Sequence, residues 1–343
     1  MIAELLARLL APRPLSAAEA RATFAALLDP TTSDPERAAV LVALEARARY
    51  PEELAHFATE MRRRARPFAV PRQDGAVDLC GTGGAPQPSY NVSTVAAVVV
   101  AAAGRAVVKH GNRSARGICG SSDLLEALGL PVQTSVAFAR ATYRKYRIAF
   151  LHAPLYHPET AAVGPVRRLL RIPTIFNRLG PLSNPARVPH QVVGAPDAAT
   201  AETFSSVLVR LGVVRGITMS STDGSDEFSP RARTIAYVWD GRRKRRLSID
   251  PNRWLPADDR RGGWGPLPAA EAAEEAHRLL AGGGGARRGS VLLTAGAALW
   301  TTGTAPTFPT GIERAQEALD DGRAAALLGA LQAIGSKFHS GAA

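Results

Sequence analysis

Residues 77–103 read VDLCGTGGAPQPSYNVSTVAAVVVAAA and contain the clearest indication of the fold. This stretch begins with a short apolar run typical of a buried strand, Val77–Cys80, and ends with an apolar segment of helical length, 93–103. Between them lie a glycine-rich loop, Gly81–Gly84, and a polar helix start, Asn91–Thr94. A strand, a glycine loop and a helix in this order indicate an α/β fold that binds its ligand at the carboxyl ends of the strands.

The same alternation continues on the carboxyl-terminal side. Short apolar runs predict strands at 106–108, 148–151, 191–194 and 217–219, and helices are predicted at 121–129, 134–145 and 198–211. A strand pair is predicted near 233–248 with its turn at Asp240-Gly241, and about three helices follow the flexible connection Gly282–Gly285. Strands that alternate with helices form a largely parallel sheet with helices on both faces.

The first 66 residues contain no strand-like alternation and predict a small helical module. Leu5, Leu6, Leu9 and Leu10 are expected to share one face of the first helix, and Ser16 with Glu19 has the pattern of a capping box. Further helices are expected over 34–47 and 51–66. We therefore predict an α/β protein with a small all-helical domain, residues 1–70, and a larger domain, 71–343, around a mostly parallel sheet flanked by helices.

The composition excludes several classes of protein. With 46% hydrophobic and 21% charged residues, the 343-residue chain can bury a core and is not disordered as a whole. Two cysteines, Cys80 and Cys119, cannot build a disulfide framework, which favours a reducing, cytoplasmic location. The longest apolar run, 95–103, is too short to span a bilayer and no signal peptide is visible, so no membrane association is expected.

Positive charge is the unusual feature of the composition. The 42 lysines and arginines exceed the 30 acidic residues by 12, and only four of the basic residues are lysines. Such a charge favours anionic partners, either nucleic acid or a phosphorylated small molecule, and a generic basic surface is the alternative interpretation. The run Arg242–Arg246 near the predicted strand pair is most simply a solvated sheet edge.

Three loops carry the candidate chemistry. Gly81–Gly84 with Asn91, Ser93 and Thr94 predicts a phosphate cradle, since glycines expose backbone N–H groups and a helix start attracts anions. The alternative is a tight turn followed by an ordinary helix cap. Lys109, in the run Lys109–Ser114, is a compact positive charge at a strand end, unless it only extends its ammonium into solvent.

The third loop, Asp223–Glu227, is acidic. The adjacent carboxylates of Asp226 and Glu227 suit a hard cation such as Mg²⁺, which is held by one or two carboxylates together with substrate phosphates. An exposed acidic turn would have the same sequence. The order of the three loops along the chain predicts that they meet at one edge of the sheet.

In sequence these motifs resemble the anthranilate phosphoribosyltransferase family. The resemblance rests on Gly81–Gly84, Asn91–Thr94, Lys109–Ser114, Gly120–Asp123, Thr174–Asn177, Leu179–Leu182, Asn184-Pro185 and Asp226-Glu227, in order and at the spacing of the family. It covers nearly the whole chain. It implies a fold like that of nucleoside phosphorylases and phosphoribosyltransferases, with a later helical excursion at about 163–187 that joins the helical domain, and homodimers formed through that domain.

The resemblance also implies the reaction and the roles of residues. A phosphoribosyl group would move from phosphoribosyl diphosphate (PRPP) to the amino nitrogen of anthranilate, with release of diphosphate. PRPP would be held by Gly81, Thr82, Gly83, Gly84, Asn91, Ser93, Thr94 and Lys109, with Arg116 substituting for missing serines. Mg²⁺ would be held by Ser93, Asp226 and Glu227, and the acceptor would be lined by His110, Asn112, Arg167, Gly180, Pro181 and His157.

Several positions depart from the family pattern: Ala85, the loop Ala115–Cys119, Ser220-Ser221 and Thr294. These departures leave two alternatives open, a relative that uses another amino-aromatic acceptor and a non-catalytic member of the fold that binds nucleic acid. Pyrimidine-nucleoside phosphorylases share a Lys-His-Gly loop and this architecture. That family is the weakest alternative, because its members carry an additional C-terminal domain for which this chain has no room.

Overall fold

The computed structural model describes residues 2–47, 50–83, 85–114, 118–241 and 243–339. Its helices are α1 Ile2–Leu10, α2 Ala17–Leu28, α3 Asp34–Ala46, α4 Pro51–Arg64, α5 Val92–Ala102, α6 Ser121–Ala127, α7 Val136–Tyr146, α8 Ala153–Tyr156, α9 Gly164–Leu170, α10 Ile175–Leu179, α11 Ala198–Arg210, α12 Ala269–Leu280, α13 Ala286–Thr301, α14 Phe308–Asp320 and α15 Arg323–His339. Its strands are β1 Val77–Cys80, β2 Val107–Gly111, β3 Ile148–His152, β4 His190–Gly194, β5 Arg215–Ser221, β6 Thr234–Asp240 and β7 Arg243–Ile249. Short 3-10 turns lie at Arg72–Asp74, Pro158–Val163, Gly180–Leu182, Pro251–Arg253 and Asp258–Arg260.

The strands form one seven-stranded sheet in the order β3-β2-β1-β4-β5-β6-β7. Neighbours from β3 to β5 are parallel, and β6 and β7 add to the edge as antiparallel strands. The prediction of a mostly parallel sheet is confirmed. The strand order reverses between β1 and β4, and a crevice at the carboxyl ends beside such a reversal is the usual ligand site of an open α/β sheet.

Helix α5 is the centre of the main apolar core. Most of its residues are fully buried because it packs against α13 and α15 as well as against β1 and β2. A helix that is apolar on all sides is stable in water only when it is enclosed in this way. Its enclosure holds the first turn, Val92–Val95, at a constant position beside the end of β1.

A second apolar core joins the amino-terminal helices to the other face of the sheet. It contains residues of α1 to α4, of α9 to α11, and of the strands β4 and β6. Helices α9 and α10 both pack against α3, and α10 also packs against α4. The boundary at residue 70 and the assignment of 163–187 to the helical domain remain predictions, since this core is continuous across them.

Two local expectations have different outcomes. The capping box at Ser16 is confirmed, with the Glu19 carboxylate accepting the Ser16 N–H at 2.9 Å. The expected common face of four leucines in α1 is wrong in part, because Leu5 and Leu9 are buried while Leu10 is 76% exposed. Residues four apart share a face, and Leu10 lies on the neighbouring stripe.

The last strand, β7, is a sheet edge, and Arg243–Arg246 are exposed there as expected, whereas Arg242 lies outside the described residues. Within the described ranges, no helix combines the length and apolar character needed to cross a membrane.

Candidate functional site

One cavity of about 370 Å³ opens at the carboxyl ends of the central strands. Its walls include the loop after β1, the start of α5, the end of β2 and the acidic loop after β5. The described residues predicted to bind ligand all line it: Gly81, Thr82, Gly83, Asn91, Ser93, Thr94, Lys109, His110, Asn112, His157, Arg167, Gly180, Pro181, Asp226 and Glu227. Gly84 and Arg116, also predicted to bind PRPP, lie outside the described residues.

The glycine loop lies directly against the acidic loop. The Asp226 carboxylate accepts hydrogen bonds from the Thr82 hydroxyl at 2.9 Å and from the Gly83 N–H at 3.1 Å. A Cβ atom added to Gly81 would come within 2.8 Å of the same carboxylate, and Gly83 has a φ of 64°. Glycine is required at these positions for close approach and for the left-handed conformation.

The start of α5 is not an ordinary capped helix end. Asn91 occupies the cap position, but its side chain makes no capping hydrogen bond and donates to the Cys119 carbonyl at 3.1 Å instead. The Ser93 hydroxyl accepts a hydrogen bond from the Lys109 ammonium at 3.1 Å. The interpretation of Asn91 as a routine cap is therefore wrong, and the polar helix start faces the cavity.

Lys109 is buried, with 3% of its surface exposed. Its ammonium group donates to the Leu79 carbonyl and to Ser93, so the alternative of a lysine that extends into bulk solvent is wrong. A buried ammonium is a fixed positive charge in the wall of the cavity, and it suits an anionic group.

The carboxylates of Asp226 and Glu227 are buried as well, so the alternative of an exposed acidic turn is wrong. Burial and the neighbouring charge of Asp226 together raise the pKa of Glu227 to about 8, although Lys109 acts in the opposite direction. A divalent cation would relieve this repulsion. Within the described ranges no three acidic, histidine or cysteine side chains form a closed metal cage, and Mg²⁺ characteristically uses one or two carboxylates plus substrate phosphates. The donor set therefore fits Mg²⁺.

Two histidines lie side by side in the wall of the cavity. The rings of His110 and His157 lie 5.1 Å apart, centroid to centroid. His110 Nδ1 is 3.3 Å from the Gly180 carbonyl, which can only accept, so this nitrogen carries the proton. Burial, and then the nearby His157, hold the pKa of His110 well below its usual range; burial lowers that of His157 to about 4. Both rings are neutral at pH 7.

Arg167 is another cationic residue of the cavity wall. One of its guanidinium nitrogens donates to the Asn177 side chain at 3.2 Å, and the group lies 5.4 Å from the centre of the Phe176 ring. Burial lowers its pKa, and within the part of the chain that the structure describes no carboxylate pairs with it. Asn112 is held nearby through its main chain, whose N–H donates to the Ser121 hydroxyl at 3.1 Å.

Sequence reasoning missed several residues of the cavity wall. Met61 of α4, Ala153 and Pro154 of α8, and Pro266 of the loop before α12 line the cavity. Ala153 and Pro154 directly follow β3, so the rule that ligands bind at strand carboxyl ends could have found them, although neither carries a motif. Met61 and Pro266 follow no strand and carry no motif, so no local signal distinguishes them.

The departures from the family pattern fall into two groups. Ala85, Ile118 and Cys119 line the cavity, and 115–117 lie outside the described residues. Ser221 serves the acidic loop, since its hydroxyl donates to the Glu227 carbonyl at 2.7 Å. Thr294 is buried in α13 and is absent from the cavity wall.

Comparison with protein families gives two matches that together cover most of the chain. Residues 73–325 match the model described as the a/b domain of a glycosyl transferase family, and residues 3–65 match its helical bundle domain. The anthranilate phosphoribosyltransferase of Solibacter usitatus is 40% identical over 95% of this chain and 96% of its own length. That of Novosphingobium aromaticivorans is 40% identical over 92% of this chain and 95% of its own length.

Solved structures show the same architecture. The anthranilate phosphoribosyltransferase of Thermus thermophilus superposes with a TM-score of 0.86 at 34% identity, covering 98% of this chain and 99% of that one. The Saccharomyces cerevisiae enzyme in complex with PRPP and Mg superposes with a TM-score of 0.85 at 22% identity, covering 98% of each chain, and at that identity it supports the fold alone.

Proposed function

Because the chain belongs to the anthranilate phosphoribosyltransferase family, we propose that it transfers the 5-phosphoribosyl group of PRPP to the amino nitrogen of anthranilate, a reaction of tryptophan biosynthesis. One observation carries the proposal. A single cavity is lined both by the glycine loop, Lys109 and the two carboxylates, which we name the donor end, and by His110, Arg167 and Phe176, which we name the acceptor end. An anionic donor and an aromatic acid fit these two ends.

The donor end binds PRPP through its diphosphate. Backbone N–H groups of Gly81 and Thr82 and the polar start of α5 would offer donors to phosphate oxygens, and Lys109 supplies the positive charge. The same groups stabilise the negative charge that develops on the leaving diphosphate. The roles of Gly84 and Arg116 rest on the family resemblance.

Mg²⁺ belongs to this end. Asp226 and Glu227 would hold it, with Ser93 beside them, and all three line the cavity. When bound, the ion neutralises charge on the diphosphate and so favours its departure. Without the ion, the carboxylates of Asp226 and Glu227 and the ammonium group of Lys109 lie close enough together to shift the pKa of Glu227.

The acceptor end binds and orients the aromatic acid. Arg167 is suited to the carboxylate of the acceptor, and Phe176, Met61 and Pro181 form an apolar wall beside it. Reaction breaks the bond between the anomeric carbon and the diphosphate oxygen and forms one to the amine nitrogen, whose lone pair is free at neutral pH. The nitrogen then loses one proton to the released diphosphate or to water. The neutral rings of His110 and His157 leave this end without a competing positive charge next to the amine.

Two further properties belong to the proposal. Homodimers form through the helical face where Leu10, Val42, Leu169 and Ile172 are exposed by 46–76%, since such side chains avoid water when a second copy covers them. A cytoplasmic location is favoured by the free thiols of Cys80 and Cys119, which a reducing compartment preserves.

Product formation tests the proposed function. Purified protein is supplied with PRPP, with and without Mg²⁺, and with a panel of aromatic amines that includes anthranilate. We expect Mg²⁺-dependent consumption of anthranilate with equimolar release of diphosphate. Failure to bind PRPP under either condition would contradict the proposal, and turnover of a different amine alone would favour another acceptor. Salt-sensitive DNA binding without PRPP binding would favour the nucleic-acid alternative.

A further inference from the structure

Asp78 is a buried carboxyl group to which the proposed mechanism gives no part. It lies in the middle of β1 with 0% of its surface exposed, and it is absent from the cavity wall. Burial raises its pKa, whereas the charge of Lys109 and several donated hydrogen bonds lower it. A carboxyl group inside a protein is costly unless its oxygens are hydrogen-bonded, so its partners indicate its purpose.

Those partners close a ring. One Asp78 oxygen accepts the His110 main-chain N–H at 3.1 Å, and the other accepts the Gln191 amide at 3.3 Å. The same amide donates to the Pro181 carbonyl at 3.2 Å. His110 Nδ1 donates to the carbonyl of the preceding residue, Gly180, at 3.3 Å. The ring thus runs from Asp78 through His110, Gly180-Pro181 and Gln191 back to Asp78.

Arg62 extends the ring to the helical bundle. Its guanidinium donates to the Gln191 side-chain oxygen at 3.4 Å and to the Leu182 carbonyl at 2.6 Å. Arg62 is on α4, the helix that also supplies Met61 to the cavity wall. The main chain at 180–182 is therefore attached both to the central strands and to the bundle.

Three members of the ring, His110, Gly180 and Pro181, line the acceptor end of the cavity. We propose that Asp78, through Gln191, is a positioning residue that fixes this wall relative to the donor end. The proposal rests on the proposed function, because the acceptor end is defined by it. Asp78 itself touches no substrate, and it acts through the orientation of His110 and of the Gly180-Pro181 main chain.

The first test is Asp78→Asn, which keeps the shape but replaces one acceptor oxygen by a donor. The new NH2 group faces either the His110 N–H or the Gln191 NH2 group. Both of these groups also donate, so one hydrogen bond of the ring is lost. We expect kcat/KM for anthranilate to fall about 10- to 100-fold, because misplacement of a binding wall by about 1 Å has effects of that size. The KM for PRPP should change less than about threefold.

Two further variants separate positioning from loss of fold. Gln191→Met leaves Asp78 unchanged but removes the two hydrogen bonds that the amide donates and the one that it accepts from Arg62. It should reproduce the loss for anthranilate even where Asp78→Asn fails to fold. The double variant Asp78→Asn with Gln191→Glu exchanges the carboxylate and the amide. It restores every bond of the ring except the one to Pro181 and keeps a partner for Arg62, so it should recover activity towards anthranilate.

Glu53→Gln is the matched control. Glu53 is also a buried carboxylate, and it pairs with Arg47 inside the helical bundle, away from the cavity. This variant should lower the melting temperature without changing the ratio of the two KM values. The proposal would be overturned if Asp78→Asn lowered kcat/KM equally for anthranilate and for PRPP. It would also be overturned if the double variant were no more active towards anthranilate than Asp78→Asn alone.

A readout independent of turnover completes the test. In the wild-type protein the ring predicts a His110 Nδ1 proton that is visible by NMR and exchanges slowly with water, and Asp78→Asn should lose it. A wild-type protein that shows this proton but forms no product would contradict the proposed function and leave the ring supported. Absence of the proton in the wild type would overturn the ring.

Discussion

At the residue scale, the adjacent carboxylates of Asp226 and Glu227 make the sharpest prediction. Replacing both, as Asp226→Asn with Glu227→Gln, removes the charges that fit Mg²⁺ while keeping the shape of the loop. We expect Mg²⁺-dependent turnover to fall at least about 100-fold, the usual size of such electrostatic losses. The fold should persist, because neutral groups are easier to bury than charges.

The measurement is kcat as a function of Mg²⁺ concentration, together with the melting temperature without the metal. Asp223→Asn is the control, since Asp223 lies on the same loop but is exposed and is absent from the cavity wall. It should behave like the wild-type protein. Unchanged Mg²⁺ dependence in the double variant would contradict the assignment of these two residues.

Arg167 makes a second prediction at this scale. Arg167→Ala removes a half-buried cation that has no carboxylate partner among the described residues, so we expect it to affect acceptor binding selectively. A hydrogen-bonded charge pair contributes about 1.5–3 kcal/mol, which corresponds to a KM for anthranilate raised about 10- to 100-fold. Steady-state kinetics with each substrate varied in turn measure the effect.

The neighbouring Arg168 supplies the control, because it is exposed on the same helix and absent from the cavity wall. Arg168→Ala should leave both KM values unchanged. An aromatic amine without a carboxylate should be an equally poor acceptor for the wild-type protein and for Arg167→Ala. A variant in which only the KM for PRPP changes would show that Arg167 serves the donor end.

At the scale of elements, His110 and His157 connect separate segments of the chain. His110 joins β2 to the segment after α10, and His157 joins the segment before α9 to that same segment. His110 is bonded to the Gly180 carbonyl, and His157 Nε2 donates to the Ser183 carbonyl at 3.1 Å. Both are buried with pKa values below the usual 6.5, that of His157 at about 4. The unfolded chain therefore binds more protons than the folded one below about pH 6.5.

The contribution of the two histidines to stability should accordingly be complete above about pH 7 and decline as the pH falls from about 6.5 towards 4. The raised pKa of Glu227 acts in the opposite direction, so the histidine contribution is measured as the difference between the wild-type protein and a histidine variant. Each unit of pKa difference corresponds to about 1.4 kcal/mol, so His157 alone contributes a decline on the order of 3 kcal/mol. His157→Gln, which keeps a donor for Ser183, should flatten the decline in melts measured across this range. His277→Gln, an exposed histidine of α12, should not, since its ring stays in water in both states.

The elements themselves were largely predictable from the sequence. Strands and helices follow the apolar pattern within a few residues, because β1 and α5 are buried on all sides and their composition reflects it. The three loops of the cavity were predictable because parallel strands end at one edge. The ring around Asp78 was not, since the pairing of Asp78 with Gln191 depends on the register of β1 against β4. The bond between Ser122 and His152, at 2.9 Å, likewise depends on the packing of α6 against β3.

At the scale of the whole molecule, the exposed apolar side chains of α1, α3 and α9 predict an assembly. Leu10 and Leu169 are exposed by 76% and 75%, on helices that both pack against α3. Replacing both by Glu should convert a dimer into a monomer in light scattering, because each charge would be buried without a partner. Val214→Glu is the control, because Val214 is exposed by 42% immediately before β5. A wild-type monomer would contradict the prediction.

The net charge of +12 makes the last prediction. Both proposed substrates are anions, and a positively charged protein raises their local concentration at a cavity that contains Lys109 and Arg167. We expect kcat/KM for PRPP to fall with rising ionic strength while kcat at saturation stays nearly constant. The field of charges far from the cavity extends about 30 Å at 0.01 M salt and about 10 Å at 0.1 M. Reversing Arg243 and Arg245 on the exposed edge strand should therefore weaken capture at low salt only, since neither lines the cavity. If kcat/KM for PRPP did not depend on salt, the net positive charge would serve another partner. Salt-sensitive binding of DNA that is lost when Arg243 and Arg245 are reversed would identify that partner as nucleic acid.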